Sequence, residues 1–286
     1  PISNPNYSRT GKGLQVLYDF SEPTGVLICD RSGAAEPLDL KIETPREVER
    51  GPRTLTITGK AKIQSQKPAT RLTNALQKSN AVTIETWVRP ENLKQEGPAR
   101  IVTLSPNTGS RSFTIGQEKT AFEVRFRTSK TDSNGANRAL VTPKKVAETK
   151  LTHIVYTREK SGLSRLYVNG RERAKEKIEG ALEPWDPTLK LSLGNEMTGD
   201  RPWKGSLHLV AIFNRALSIG EIGQNFRAGP GALGVGPALI TKSENELLFE
   251  NKIAPLISNH CLECHDSANR EGKLDLTKKA LENILP

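Results

Sequence analysis

The feature that most constrains the fold is a long series of short segments in which apolar and polar residues alternate. The series runs from residue 13 to about residue 227, and glycine, proline, asparagine and aspartate separate its segments. Alternation with a period of two is typical of a strand with one face in a core and the other in solvent. More than ten such segments, with no helical periodicity between them, predict an all-β, two-sheet antiparallel sandwich. The predicted strands are 14–20, 25–30, 55–58, 82–88, 101–104, 112–116, 122–127, 151–156, 163–168, 189–193 and 206–213.

Two turns are predicted from their glycines. Asn169 and Gly170 lie between two alternating segments, and a type I′ hairpin turn needs a positive φ at both positions, which these residue types tolerate. The sequence DRSG at residues 30–33 likewise predicts a turn with a positive φ at its glycine. In the strand before that turn, Cys29 alternates with Leu27 and is predicted to face the core as a free thiol.

The composition changes at residue 229, where a stretch rich in glycine and proline has neither alternation nor charge. Such a stretch is typical of a linker. Further on, Ser243 and Glu246 have the spacing of a capping box and precede apolar residues at helical spacing. We therefore predict a first domain over residues 1–228, a linker over 229–242 and a short, mainly helical segment over 243–286.

The charge of the chain favours acidic partners. It has 42 Lys and Arg against 32 Asp and Glu, a formal net charge of +10, which suits an acidic polysaccharide, a lipid headgroup or a nucleic acid. Nucleic acid is not expected, because the basic residues are scattered and no nucleic-acid recognition module accompanies them. The longest uncharged stretch is short and rich in glycine and proline, so no transmembrane segment is expected.

Five segments of the first domain have the order and spacing found in one family of β proteins. They are Leu17–Phe20, residues 30–33, Val82–Pro90, Leu166–Gly170 and Gly205–Ser218. Through them the chain resembles the laminin G-like members of the concanavalin A-like lectin/glucanase superfamily. The resemblance implies a curved antiparallel jelly roll that serves as a glycan-binding or adhesive module. Together with the positive charge, it makes an acidic polysaccharide the expected ligand.

Two properties of such relatives are not expected here. Many relatives carry acidic residues, some of which hold calcium, where this chain has His208 and Leu209, and neither side chain replaces a carboxylate oxygen. Bound calcium is therefore less expected than its absence. A retaining glycosidase needs two carboxyl groups about 5 to 5.5 Å apart. No Glu-x-Asp-x-Glu pattern is present, and the nearest group, Glu43, Glu47 and Glu49, is predicted to be a solvated loop, so the chain is predicted not to be an enzyme.

The three tryptophans are candidates for stacking on sugars. Trp87 lies in a predicted strand and is expected to belong to the core. Trp185 and Trp203 lie beside prolines in predicted loops and are the better candidates for ligand contacts, with core packing as the alternative.

The C-terminal segment contains one motif with specific chemistry, Cys261-Leu-Glu-Cys264-His265. The C-x-x-C-H pattern is typical of covalent haem c attachment, in which both thiols add to the porphyrin vinyl groups and His265 is the axial ligand of the iron. A structural disulfide between Cys261 and Cys264 is an alternative. A zinc site is another, although a well-placed fourth ligand is missing.

Residues 249–266 and 272–276 resemble the cytochrome c-like domain of large planctomycete and related bacterial surface proteins. The resemblance implies electron transfer with a redox partner protein and an axial methionine downstream of the motif. The single methionine, Met197, lies in the first domain, so residues 243–286 are expected to be the N-terminal part of a truncated cytochrome domain.

The two parts together predict a bacterial protein that is secreted, periplasmic or on the cell surface. In it, a glycan-binding module is fused to a c-type haem electron-transfer domain. The alternative is a structural or adhesive surface protein with no redox role.

Overall fold

The computed structural model describes residues 8–231, and every structural statement below concerns this part of the chain. Its strands form two sheets of eight strands each. Two α-helices, α1 (Thr70–Ser79) and α2 (Ile219–Ala228), and a 3-10 helix at Pro45–Glu47 accompany them. The strands are β1 Leu14–Tyr18, β2 Leu27–Ile28, β3 Leu40–Ile42, β4 Val48–Gly51, β5 Thr54–Ile57, β6 Ile63–Ser65, β7 Val82–Pro90, β8 Ala99–Leu104, β9 Phe113–Glu118, β10 Ala121–Phe126, β11 Leu140–Val141, β12 Thr152–Arg158, β13 Leu163–Val168, β14 Arg171–Lys177, β15 Ser192–Leu193 and β16 Gly205–Phe213.

Strands that are distant in sequence lie side by side in both sheets. Sheet A has the order β14-β13-β12-β7-β16-β5-β4, and β1 also pairs with β16. Sheet B has the order β11-β10-β9-β8-β15-β6-β3-β2. The long strand β7 pairs antiparallel with β12 on one side and with β16 on the other. This arrangement confirms the predicted all-β, two-sheet antiparallel sandwich.

The main core lies between the two sheets and follows the predicted alternation. Ile84, Ile154 and Ile212 are buried in it from sheet A, and Ile115 and Val124 from sheet B. Successive residues of a strand point to opposite faces, so every second side chain reaches this core. Burial of such apolar surface stabilises the fold by about 25 cal/mol per Å².

A second apolar cluster lies on the outer face of sheet A, beneath helix α2. Trp87, Val155 and Leu209 alternate with the core residues of their strands and are buried against Ile222 of α2. The ring of Phe226, also on α2, stacks on Trp87 with the centroids 5.7 Å apart. The position of Trp87 agrees with its predicted place in a core.

Helix α2 begins with a capping box. The Ser218 hydroxyl accepts a hydrogen bond from the Glu221 N–H, and the Glu221 carboxylate accepts one from the Ser218 N–H. Both interactions satisfy N–H groups that a helix start otherwise leaves unpaired. The helix therefore starts where it can place Ile222 and Phe226 on the apolar face of the sheet.

A buried polar network lies beside this cluster and centres on Glu85 of β7. Its carboxylate pairs with the Arg9 guanidinium, and it accepts hydrogen bonds from His153 Nε2 at 2.8 Å and Asn225 Nδ2 at 2.7 Å. Arg9 also donates to the Gly229 carbonyl at 3.0 Å. Burial alone would raise the pKa of Glu85, but Arg9 and His153 lower it to about 2. The network joins the N-terminal segment, sheet A and the end of α2.

The prediction that no helix interrupts the strands is wrong for α1. Leu72 and Leu76 lie one turn apart on its buried face, and Asn80 ends the helix in the left-handed conformation at φ 51°. The N–H of Asn80 donates to the Leu76 carbonyl at 2.9 Å. Because polar residues fill most of the rest of the helix, its apolar repeat is too short to stand out from a loop.

The predicted hairpin turn between β13 and β14 is confirmed, with φ values of 52° at Asn169 and 75° at Gly170. The prediction that Cys29 faces the core is wrong, whereas its prediction as a free thiol is confirmed. Ile28 is the fully buried residue of β2, Leu27 is 40% exposed, and Cys29 is a half-buried free thiol. Strand β2 pairs with β3 alone, at the edge of sheet B, and a shift of one residue in a strand exchanges its two faces.

The chain divides into two units, Pro1–Pro237 and Ala238–Pro286. Most of the predicted linker and all of the predicted C-terminal segment lie outside the described residues, so the boundaries at residues 228 and 242 stay predictions. Within residues 8–231, neither helix is long and apolar enough to cross a bilayer.

Candidate functional site

The outer face of sheet B is polar where that of sheet A is apolar, and it is the candidate functional site. The strand register aligns one outward residue from each of six neighbouring strands, β3, β6, β15, β8, β9 and β10. With strands about 4.8 Å apart, such a row extends over roughly 24 Å. Every member of this polar row has a polar or charged side chain. They are Lys41, Gln64, Ser192, Thr103, Thr114 and Arg125.

Several polar atoms of this row are buried without a hydrogen-bond partner. Among the described residues, Gln64 Nε2 and Ser192 Oγ are in this state. Thr103 and Thr114 instead bond to each other through their hydroxyls at 2.6 Å. Buried polar groups are nearly always satisfied in folded proteins, so these two atoms are available to bond water or another polar group.

A buried ion pair between Arg100 and Glu196 lies beside the polar row, since Arg100 is on β8, the strand that carries Thr103. The Arg100 guanidinium approaches Glu196 Oε2 at 3.1 Å and 3.2 Å through two of its nitrogens, and both side chains are fully buried. Burial, opposed by Glu196 and assisted by Arg125 and Arg201, lowers the pKa of Arg100 to about 10. Arg100 stays protonated at neutral pH, so this is a charged pair.

Arg111 lies next to this pair and has no carboxylate partner among the described residues. Its Nη1 donates to Thr114 Oγ1 at 3.0 Å and its Nη2 to the Thr108 carbonyl at 2.6 Å, while its Nε is buried without a partner. Burial lowers the pKa of Arg111 to about 9, with Arg100 and Arg125 acting in the same direction. The side chain is 1% exposed and remains cationic at neutral pH.

Arg125 lies closer to solvent. Its Nε donates to Glu123 Oε1 at 2.6 Å, and the side chains of the two residues are 20% and 11% exposed. Arg201, whose carbonyl accepts from the Arg100 N–H at 3.0 Å, is also half-buried. These two arginines are the members that a ligand can contact. The arginine cluster, defined as Arg100, Arg111, Arg125 and Arg201, faces two carboxylates, those of Glu123 and Glu196.

This arrangement has a clear chemical consequence. Four guanidinium groups near two carboxylates leave positive charge that the protein does not compensate, and uncompensated charge away from water is costly. An anion at the accessible edge offsets that cost. A carboxylate is one such anion, because it can form two parallel hydrogen bonds with a guanidinium.

The tryptophans expected to contact a ligand are not at this site. Trp185 is 2% exposed, and its Nε1 donates to the Arg127 carbonyl at 2.8 Å. Trp203 is fully buried, and its Nε1 donates to Gln117 Oε1 at 2.9 Å. Both rings therefore belong to the main core, the alternative given for them above, and neither presents a face to a sugar.

The residues considered above for calcium binding and for catalysis lie away from the arginine cluster. Leu209 is buried beneath α2, and His208 lies at a bulge of β16, where its Nδ1 is 3.2 Å from Thr54 Oγ1. Residues 8–231 contain no group of three or more side chains that could hold a metal ion. Glu43 is exposed and pairs with Lys62, and the other two glutamates of that group lie in the 3-10 helix and in β4. The proposed haem ligands Cys261, Cys264 and His265 lie outside the described residues.

The sequence interpretation missed the arginine cluster and Glu196. Glu123, Arg125 and Arg127 occupy every second position of one predicted strand, and this pattern predicts that all three point outward. Arg100 and Arg111 were not recognisable, because they flank apolar segments and resemble charged strand ends.

Comparison with known proteins identifies the class of fold. Residues 64–223 match the family model of the concanavalin A-like lectin/glucanases superfamily. The chain belongs to this superfamily, as its sequence motifs suggested. The superfamily name covers both lectins and glucanases, so the absence of catalysis stays a prediction. Comparison with curated proteins gives no significant match.

Solved structures with a similar fold include a sialidase and a toxin domain. Trypanosoma rangeli sialidase in complex with sialic acid has a TM-score of 0.55 and 17% identity over 76% of this chain and 33% of its own. The binding domain of botulinum neurotoxin DC in complex with rat synaptotagmin II has a TM-score of 0.57 and 13% identity over 76% of this chain and 52% of its own. The chain thus spans about a third of one and half of the other, and the likeness concerns the fold.

Proposed function

We propose that the first domain is a binding module for an acidic polysaccharide, which it holds across the outer face of sheet B without cleaving it. The observation that carries the proposal is Arg111, a buried guanidinium with no carboxylate partner among the described residues and with an unpaired Nε. Membership of a superfamily that contains lectins supports a carbohydrate as the ligand.

The electrostatics favour an acidic sugar over a neutral one. A carboxylate near Arg125 and Arg201 would offset the charge of the whole arginine cluster, whereas a hydroxyl offers no such compensation. Of the polar row, Lys41 and Arg125 at its two ends are accessible, whereas the four residues between them are buried. The ligand would therefore place its acidic groups at the β10 end, near Arg125.

The test is binding of polygalacturonate, with dextran as the neutral comparison, to the full chain by calorimetry. We expect polygalacturonate to bind, dextran to bind much more weakly, and the affinity to fall as salt rises, because exposed charges are screened within about 8 to 10 Å at physiological ionic strength. Arg125→Gln should weaken binding about tenfold, equivalent to about 1.4 kcal/mol. Arg46→Gln, a loss of one exposed charge on the 3-10 helix, is the matched control.

Two results would contradict this proposal. One is equal affinity for dextran and polygalacturonate. The other is a loss of affinity that is the same in Arg125→Gln and Arg46→Gln, since that would reflect net charge rather than a site.

The second part of the proposed function concerns residues 243–286 and is supported by sequence alone. The C-x-x-C-H motif at Cys261, Cys264 and His265 favours covalent haem c, and hence electron transfer to a redox partner in the periplasm or at the cell surface. A pyridine haemochrome spectrum of protein made with c-type maturation machinery tests it. Replacing both cysteines with alanine should abolish covalent haem. A spectrum without haem in the unaltered chain would contradict the redox role and favour the alternative, a structural or adhesive surface protein.

A further inference from the structure

A second basic site lies at the end of sheet A where β12 begins and β13 turns into β14. There a cavity of about 230 Å³ is lined by three cationic residues, Lys145, Lys150 and Arg173. Glu148 also lines it but pairs with Lys150 at 3.0 Å. In the described part of the chain, Lys145 and Arg173 have no ion-pair partner. The cavity therefore combines two uncompensated positive charges with one neutralised pair.

The backbone places these two residues at the cavity through local irregularities. Arg173 is the extra residue of a β-bulge, since Glu172 and Ala174 pair with the adjacent residues Tyr167 and Leu166 of β13. A bulge turns a side chain away from the regular face of its strand. Lys145 has a φ of 67°, a left-handed conformation that is uncommon for residues other than glycine.

Asn169 supplies a neutral donor at the same cavity. Its Oδ1 accepts a hydrogen bond from the His153 N–H at 2.9 Å. Because a backbone N–H must donate to the oxygen, the orientation of this amide is fixed and its Nδ2 group remains as a donor. Lys145, Arg173 and Asn169 come from a loop, a bulge and a hairpin turn, so donors approach the cavity from three directions.

We infer that this cavity binds the sulfate ester groups of a sulfated polysaccharide. The ammonium of Lys145, the guanidinium of Arg173 and the amide of Asn169 together offer several N–H donors to the three terminal oxygens of a sulfate ester. A lysine acts as a compact point charge of the kind that binds tetrahedral oxyanions. The inference rests on the proposed function in one respect, namely that the ligand is a polysaccharide, and the site is separate from the arginine cluster.

The test uses the full chain, dextran sulfate as a ligand with sulfate but no carboxylate, and unmodified dextran as the baseline. The variant Lys145→Gln/Arg173→Gln should bind dextran sulfate about tenfold more weakly. The control Arg46→Gln/Lys60→Gln removes two exposed charges elsewhere and should retain most of the affinity. Lys145→Arg, which keeps the charge, should also bind as the unaltered chain does.

The outcomes separate this inference from the proposed function. Lys145→Gln/Arg173→Gln should bind polygalacturonate normally, because both residues lie outside the arginine cluster. If the unaltered chain fails to bind polygalacturonate but binds dextran sulfate through Lys145 and Arg173, the proposed function fails and the sulfate site stands. Equal losses in the two double variants overturn the sulfate site. The sulfate site is also overturned if single-stranded DNA binds more tightly than dextran sulfate and its binding depends on the same two residues, because the site would then be one for phosphodiesters.

Discussion

The outer faces of both sheets carry buried charged side chains, but the ratio of guanidinium groups to carboxylates differs between them. On sheet A, one buried carboxylate, Glu85, receives Arg9, His153 and Asn225, and α2 covers the surrounding apolar residues. On sheet B, four guanidinium groups have only two carboxylates near them. The comparison teaches that the buried charges of sheet A are compensated within the protein, whereas those of sheet B are compensated only in part, which is why we propose the ligand site on sheet B.

The largest effect is expected from breaking the compensated network of sheet A. Glu85→Gln keeps the shape of the side chain but leaves Arg9 buried without a counter-charge, so we expect a loss of about 3–5 kcal/mol in the free energy of unfolding. Urea denaturation followed by circular dichroism measures it. Glu176→Gln, at the exposed pair with Arg138, is the matched control and should change stability by less than about 0.5 kcal/mol. A change at Glu85 as small as that at Glu176 would contradict the structural role of the network.

The next effect concerns the apolar cover of sheet A. Ile222→Ala removes a fully buried side chain between α2 and the sheet and should cost about 2–4 kcal/mol. Ile219→Ala makes the same substitution three residues earlier in the helix, where the side chain is 69% exposed, and should be nearly neutral. Similar losses for the two variants in urea denaturation would show that α2 does not seal the sheet.

A smaller effect comes from His208, on the part of the sheet A face near Thr54. Burial lowers the pKa of His208 to about 4 from 6.5, and Arg89 acts in the same direction. Between these pH values the unfolded chain binds a proton that the folded chain does not, so stability falls as the pH falls from about 6.5 to 4. Because the ring is partly exposed, we expect this group to contribute about 1–2 kcal/mol.

The measurement compares urea midpoints of the unaltered chain and His208→Gln at pH 7 and pH 5. The unaltered chain should lose more stability on acidification than the variant does. Equal losses in the two proteins would assign the acid sensitivity to other groups, such as His153, whose pKa is lowered by burial.

The fold could largely be predicted from the sequence, because alternation is a property of each strand by itself. Strand β13 has the predicted bounds, Leu163–Val168, and the Asn169-Gly170 turn follows from local backbone preferences. Helix α1 was missed because its apolar repeat covers one turn in an otherwise polar segment. Helix α2 was missed although Ser218 and Glu221 have capping-box spacing, a signal that was used only for the C-terminal segment.

The candidate site could be predicted only in part, since it depends on which strands become neighbours. Arg100 and Glu196 pair across almost a hundred residues, and no local pattern indicates that they meet. Lys145 and Arg173 also could not be paired from the sequence. They line one cavity only because the β13–β14 hairpin lies beside the loop before β12. Trp185 and Trp203 illustrate the opposite error, because nearby prolines suggested exposure for rings that the core contains.

The smallest effect on stability is expected at Arg111, the residue that carries the proposed function. Arg111→Met removes a buried charge that has no carboxylate partner and replaces it with an apolar chain of similar length, and such exchanges are often neutral or stabilising. We expect the free energy of unfolding to change by less than about 1 kcal/mol, because Thr114 keeps its hydrogen bond to Thr103 when the guanidinium is lost. Binding of polygalacturonate should weaken about tenfold, as for Arg125→Gln, because each variant removes one charge from the cluster. If the variant instead loses as much stability as Glu85→Gln, Arg111 has the structural role that Arg9 has on sheet A, and the two faces do not differ in the way proposed.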